Sequence, residues 1–244
     1  MNYYASKIKS HQQISSDIYV LELEREAGVI LPGQFYMLKI CDNHLPLMRP
    51  VSIYKISDNT VSFMYRIAGE GTKLLSQLKK GNFLKILGPL GNGFPCDEVS
   101  GRIALVGGGI GIPPLLETAR KLKKLNCSVD IYLGYKDELF AFEEFEDVAD
   151  RIFISMESGD EGYRGYITDL LKVENYQTVF TCGAEVMMLK IRDLCLIKKI
   201  PIWLSMEKRM ACGIGACLVC ACETKYGMKR CCKDGPVFRG EEII

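Results

Sequence analysis

The sequence has 244 residues with 31 basic and 30 acidic side chains, a formal net charge of +1, a balance that argues against a nucleic-acid surface or a polybasic membrane patch as its main business. Its first residues, MNYYASKIKSHQQISSD, contain no apolar h-region of a secretory signal. The longest apolar stretch, IALVGGGIGIPPLL, is too short and too rich in Gly and Pro to span a bilayer, so the expectation is a cytoplasmic chain with neither a nucleic-acid nor a membrane partner.

In chain order, the first hundred residues read as short strands between turn signals: 17–24, 33–40, 50–56, 60–67 and 83–88, rich in Val, Ile, Tyr and Phe, separated by LPG, CDNHLP, SDN and KKGN. One helix is predicted among them at 71–80, with Leu74, Leu75 and Leu78 on one side. Many short strands with a single helix predict a small antiparallel barrel. Beyond FPCDEVSGR the rhythm changes to strands near 103–109, 128–135, 151–157, 178–183 and 202–206, with helices at 113–125 and 184–199. That alternation predicts a parallel, doubly wound sheet. Past Met206 the cysteines and glycines are too dense for the sheet to continue, which gives a division into 1–99, 100–206 and a loop-rich module at 207–244.

Four stretches carry chemistry. In LVGGGIGIPPLLETAR a strand runs into Gly107, Gly108, Gly109 and Gly111 ahead of a helix. Glycines let the backbone come close to a pyrophosphate, and a helix N-terminus offers unpaired N–H groups; a tight strand-to-helix turn is the plainer reading. In LMRPVSIY, Arg49 is a cation suited to a phosphate, Pro50 removes a backbone donor and Ser52 offers a hydroxyl to a heterocycle lying on the sheet; the plainer reading is an edge strand. YRIAGEGT adds Arg66, glycines and Thr72 at a helix start, suited to an anion or simply to capping.

The fourth stretch is MACGIGACLVCAC. Six of the eleven cysteines fall between Cys212 and Cys232, and in a reducing compartment such clusters are metal or redox groups rather than disulfides. Cys212, Cys217 and Cys220 give C-x4-C-x2-C, the first three ligands of a plant-type [2Fe–2S] site. A fourth thiolate comes from Cys222, Cys231 or Cys232; the first would strain the wrap, and the adjacent pair should face opposite ways, so that one ligates. A four-cysteine zinc site is the alternative. Cys41, Cys96, Cys127, Cys182 and Cys195 read as small buried hydrophobes. With only His11 and His44, a His-dependent hydrolytic triad has little material, and no catalytic residue is assigned.

RPVS at 49–52, GPLGNGF at 88–94 and GGGIGIPPL at 107–115 resemble the ferredoxin–NADP reductase superfamily. SMEKRMACGIGACLVCAC followed by CKDGPVF, together with ESGDEGYRGYITDLL, is similar to the electron-transfer subunits of the two-subunit, NAD-dependent bacterial dihydroorotate dehydrogenases. The resemblance covers essentially the whole chain. It implies an FAD-binding barrel, an NAD-binding α/β domain and a C-terminal [2Fe–2S] module. It implies FAD contacts at Arg49, Pro50, Val51, Ser52, Met64, Tyr65, Arg66, Gly71 and Thr72, and NAD(H) contacts at Gly107, Gly108, Gly109, Gly111, the GYKDE loop, Cys182 and Gly183. The implied cluster ligands are Cys212, Cys217, Cys220 and Cys232, the last because it directly precedes KDGPVF, with Cys231 the rival. TCGAEVM replaces the superfamily's usual Cys-Gly-Pro. The implied partner is an FMN-containing catalytic subunit that oxidises dihydroorotate to orotate in pyrimidine biosynthesis, within a heterotetramer. Two other readings stand beside it: a subunit of a ferredoxin:NADP oxidoreductase or sulfhydrogenase-type complex, and a zinc-stapled binding module. Lys136 against Asp137 and Glu138 leaves NADH and NADPH both open.

Overall fold

A computed structural model describes residues 1–40 and 45–244; Cys41, His44 and most of the turn expected at CDNHLP lie outside the described residues. The first unit contains β1 (Asn2–Gln13), β2 (Ile18–Glu24), β3 (Phe35–Ile40), β4 (Arg49–Ile56), β5 (Thr60–Arg66), helix α1 (Glu70–Ser76) and β6 (Phe83–Leu90). The strands close an antiparallel barrel in the order β1-β2-β5-β4-β3-β6. Alternate residues fill it: Leu21 and Leu23 of β2, Val51 and Ile53 of β4, and Phe63 and Tyr65 of β5 share one core with Leu75 of α1. Strand β1 was not foreseen. Only Ser6 and Ile8 among its twelve residues are buried, so its sequence carries little apolar signal, yet it pairs with both β2 and β6 and seals the barrel.

The second unit follows with β7 (Arg102–Gly108), α2 (Leu115–Lys124), β8 (Ser128–Tyr135), β9 (Arg151–Met156), β10 (Tyr163–Arg164), β11 (Thr178–Cys182), α3 (Glu185–Lys198) and β12 (Ile202–Ser205). Its sheet runs β10-β9-β8-β7-β11-β12 and is parallel throughout. The chain winds outward from β7 to one edge and returns to β11 on the other side. The C-terminal ends of β7 and β11 therefore form the switch point where open α/β sheets bind ligands. Barrel and sheet share a core: Tyr54, Met64 and Phe94 pack with Leu105, Leu115 and Leu133, and Phe94 stacks on Phe180 at 5.0 Å.

The last segment contributes the hairpin β13 (Ala221–Thr224) and β14 (Gly227–Arg230), then β15 (Val237–Arg239). β15 joins the second unit's sheet as a seventh strand, antiparallel to β12, with Ser205 opposite Val237 and Trp203 opposite Arg239. The loop-rich module is thus tied into the sheet it follows. Among the described residues no helix is long and apolar enough to cross a membrane.

Candidate functional site

On β4 and β5 the strand alternation sorts the expected residues. Ile53 pairs with Phe63, both inside the barrel, so Ser52 and Met64 face outward beside them. Met64 and Tyr54 lie under the second unit, whereas Pro50 is exposed and Ser52 half-buried. Arg66 faces outward and pairs with Asp17 at 3.1 Å. Val51 and Tyr65 point the other way. The Tyr65 hydroxyl meets His11 Nε2 at 2.9 Å, and His11 Nδ1 meets the Leu78 carbonyl at 2.8 Å. A carbonyl only accepts, so Nδ1 carries the hydrogen and Nε2 accepts from Tyr65. Burial lowers the His11 pKa and keeps the ring neutral. Tyr65 therefore presents its backbone, not its ring, to the outer face.

Arg49 lies across the start of α1. A Cβ added at Gly71 would sit 1.9 Å from Arg49 Nε, so a glycine is required for the guanidinium to rest there. The Thr72 hydroxyl accepts from the N–H groups of Ala68 at 2.9 Å and Gly69 at 3.2 Å and donates to the Gly69 carbonyl at 3.0 Å. That arrangement fixes the turn carrying Gly71, which Arg49 meets from the start of β4.

At the switch point two glycine turns meet backbone to backbone. A Cβ on Gly111 would lie 2.5 Å from Gly183 Cα, and one on Gly183 would lie 2.8 Å from the Gly108 carbonyl. Gly107 carries a similar constraint from Ile112 at 2.9 Å. The glycines serve first to let these two turns touch, and α2 starts only at Leu115, beyond both prolines. Cys182 is buried; burial pushes its thiol up to about 12, with the Ser205 hydroxyl bonding back against it. Further along the strand ends, Asp137, Glu138, Asp160 and Glu161 line an open cleft with Met156 and Ser158. Sequence reasoning missed Asp160 and Glu161 there, because they reach the cleft only through the pairing of β8 with β9.

The six C-terminal cysteines separate into three pairs. Cys212 and Cys217 are hydrogen-bonded neighbours. Burial raises the Cys212 thiol, but the N–H groups of Cys217, Ile214 and Ala216 and the Cys217 thiol outweigh it and bring it down to about 6. Cys220 and Cys232 form the second pair: the Cys232 N–H reaches the Cys220 sulfur at 3.4 Å, and the Gly215 N–H donates to the Cys232 sulfur at 3.1 Å. Burial, then the neighbouring Cys220, push Cys232 up to about 12. Gly213 (φ 72°) and Gly215 (φ 82°) adopt the left-handed conformation that turns the loop's amides toward the sulfurs. Cys222 and Cys231 meet each other instead, sulfur to sulfur at 3.7 Å. Among the described residues no three potential ligands converge as for a single metal ion, whereas a diiron cluster takes its four cysteine thiolates as two per iron. The donor set, two contacting thiol pairs around a loop of free amides, fits [2Fe–2S] better than mononuclear zinc.

The sites adjoin one another. A Cβ on Gly213 would lie 2.6 Å from Met37 Cγ, and Met37 pairs with Pro50 on β4. Asn92, in the turn after β6, clamps the other side. Its backbone N–H donates to the Gly235 carbonyl at 2.7 Å, its side-chain amide donates to the Asp234 and Val237 carbonyls at 3.1 Å each, and its oxygen accepts from the Val237 N–H at 3.1 Å. Arg230 grips Asp234 through both carboxylate oxygens at 2.9 and 3.0 Å and donates to the Gly215 carbonyl at 3.2 Å.

Comparison with known proteins agrees with this layout. A family model described as the iron-sulfur cluster binding domain of dihydroorotate dehydrogenase B matches residues 207–244. The dihydroorotate dehydrogenase B (NAD(+)) electron transfer subunit of Clostridium acetobutylicum is 46% identical over 242 residues, covering 99% of this chain and 97% of that protein. The subunit of the same name from Clostridium perfringens is 43% identical over 245 residues, covering 100% and 98%. Among solved structures, an NADH-dependent reduced ferredoxin-NADP oxidoreductase superposes with a TM-score of 0.86 at 26% identity, over 98% of this chain and 89% of its own. Phthalate dioxygenase reductase shares the fold at a TM-score of 0.62 and 23% identity, over 79% and 64%. Near-full-length identity at this level makes the chain a member of the family of dihydroorotate dehydrogenase B (NAD(+)) electron transfer subunits.

Proposed function

We propose that Cys212, Cys217, Cys220 and Cys232 hold a [2Fe–2S] cluster, that the outer face of β4 and β5 with the start of α1 holds FAD, and that the glycine turns after β7 and β11 receive NAD(H). The chain is an oxidoreductase subunit that carries electrons between NAD(H) and a catalytic partner subunit through FAD and the cluster. Bound there, FAD would supply the exchange between the two-electron chemistry of a hydride and the one-electron chemistry of an iron–sulfur cluster. The residues do the rest. Arg49 sets a cation beside the Gly71 turn, and Ser52 offers its hydroxyl on the face where Met64 supplies an apolar wall. Gly215 and its neighbours turn N–H groups to the Cys232 and Cys212 sulfurs, a pattern that would tune the reduction potential of a cluster held there.

The observation that carries the assignment is the sorting of six cysteines into two loop-facing pairs and one pair turned away, with the loop seated on Met37 opposite Pro50. We assign the division 1–99, 100–206 and 207–244 to the FAD, NAD and cluster units. The partner is an FMN-containing subunit that oxidises dihydroorotate to orotate, two copies of each chain assembling in the cytoplasm. The exposed Ile214, Leu218 and Val219 on the cluster loop (44%, 62% and 56% exposed) supply an apolar docking face for it. Two measurements test the reading. Cys232→Ser is expected to bleach the iron–sulfur absorption while Cys231→Ser leaves it intact. The co-expressed complex is expected to reduce NAD+ on addition of dihydroorotate; a complex that keeps its flavin and cluster and does not would end the pyrimidine assignment.

A further inference from the structure

Two thiols of the C-terminal group are left outside the cage. Cys222 on β13 and Cys231, just beyond β14, are 5% and 0% exposed. The Cys231 S–H donates to the Cys222 sulfur at 3.7 Å, and Cys222 donates in turn to the Lys229 carbonyl at 3.4 Å. Isolated buried cysteines behave as small apolar fillers; two that meet sulfur to sulfur across a hairpin stand one bond short of a cross-link.

We propose that Cys222 and Cys231 form a reversible dithiol–disulfide site beside the cluster cage. The inference rests on the reading that Cys232, not Cys231, ligates the cluster. Closing the bond takes the sulfurs from 3.7 Å to a covalent separation of about 2.05 Å. The hairpin that carries them is a small unit with an exposed outer side, Tyr226 at 75% and Met228 at 66%, the kind of element that opens locally and admits a small reagent. The oxidant is a low-molecular-weight disulfide. One thiolate attacks it, releasing a small thiol and leaving a mixed disulfide; the second thiolate displaces the other small thiol. Two S–H bonds are lost, one S–S bond forms, and the two electrons and two protons leave on the two small thiols. The Cys231 N–H donates to the Cys220 carbonyl at 3.0 Å, so the cross-link would staple the hairpin beside Cys220 and Cys232. In a reducing cell the site stays open; a rise in oxidised thiols closes it.

The test uses the holo-complex, equilibrated anaerobically in glutathione buffers of graded ratio, acid-quenched, alkylated and mapped by mass spectrometry. The expected result is a two-mass-unit loss in peptides joining Cys222 to Cys231, reversed by excess reduced glutathione, with the cluster absorption unchanged. Cys222→Ser should abolish that loss and leave Cys231 alkylated or glutathionylated; Cys231→Ala should give the converse. Full alkylation of both residues at every ratio, or a cross-link involving Cys220 or Cys232, overturns the proposal. Bleaching of the cluster by Cys231→Ala overturns the ligand set and the proposal together, whereas intact absorption without a cross-link overturns the proposal alone.

Discussion

Adjacent residues of an extended segment face opposite ways, and Cys231 and Cys232 illustrate how much chemistry that separates: one turns to Cys222, the other to the Gly215 amide. Spacing alone narrowed the fourth ligand to three cysteines, because no sequence period says which face of a loop a residue presents. Asp130 is a second case, invisible beforehand inside the apolar strand SVDIYLGY. It is fully buried at the start of β8, bonded by Arg151 at 2.7 Å, Arg102 at 2.9 Å and the Tyr176 hydroxyl at 2.8 Å. Burial raises its pKa, but Arg151, Tyr176 and Arg102 together outweigh that and lower it. Asp130→Asn is therefore expected to destabilise the fold by about 1–3 kcal/mol at neutral pH. A depressed folded-state pKa gives stability that is present above the unfolded value of about 3.9 and is lost as pH falls through the folded value. The urea midpoints of wild type and variant should accordingly draw together below about pH 4; a gap that stays constant into acid would exclude the charged network as its source.

Among elements, the strands with Val, Ile, Tyr and Phe between turn residues were legible, as were both long helices. The strands that were hidden lacked an apolar pattern of their own. β1 closes the barrel with two buried residues, and β15 has only three residues, placed by its partner β12. GPLGNGF and KDGPVF were legible as motifs but not as partners. Asn92 joins them with four hydrogen bonds across more than a hundred residues of chain. Asn92→Ala removes the side-chain share of that clamp, at a cost of about 1–3 kcal/mol. The variant should lose its cluster absorption severalfold faster under an iron chelator while retaining its flavin. Equal rates would mean that the turn after β6 does not hold the cage shut.

For the molecule as a whole, the three proposed sites adjoin because the barrel, the parallel sheet and the cysteine segment share cores rather than linkers. Phe35, Met37 and Leu90 of the barrel lie in one cluster with Cys220, Cys232 and Phe238. The sequence order of the sites was readable; their adjacency was not, since it depends on contacts between distant segments. Trp203, the single tryptophan, reports on this union from β12, where Arg239 of β15 lies over its ring at 5.0 Å. Heating the holo-protein should give coincident transitions in tryptophan fluorescence and in cluster absorption. Cluster loss well ahead of the fluorescence change would make residues 207–244 an independently melting unit.

The antiparallel return of β15 onto β12 also sets a timetable for biogenesis. During translation the parallel sheet emerges with β12 as an uncovered edge, and exposed edges invite pairing with other chains. That edge stays bare until residues 237–239 clear the ribosome exit. The cover for that edge and the clustered cysteines thus arrive on one and the same segment of chain, after the sheet that they join.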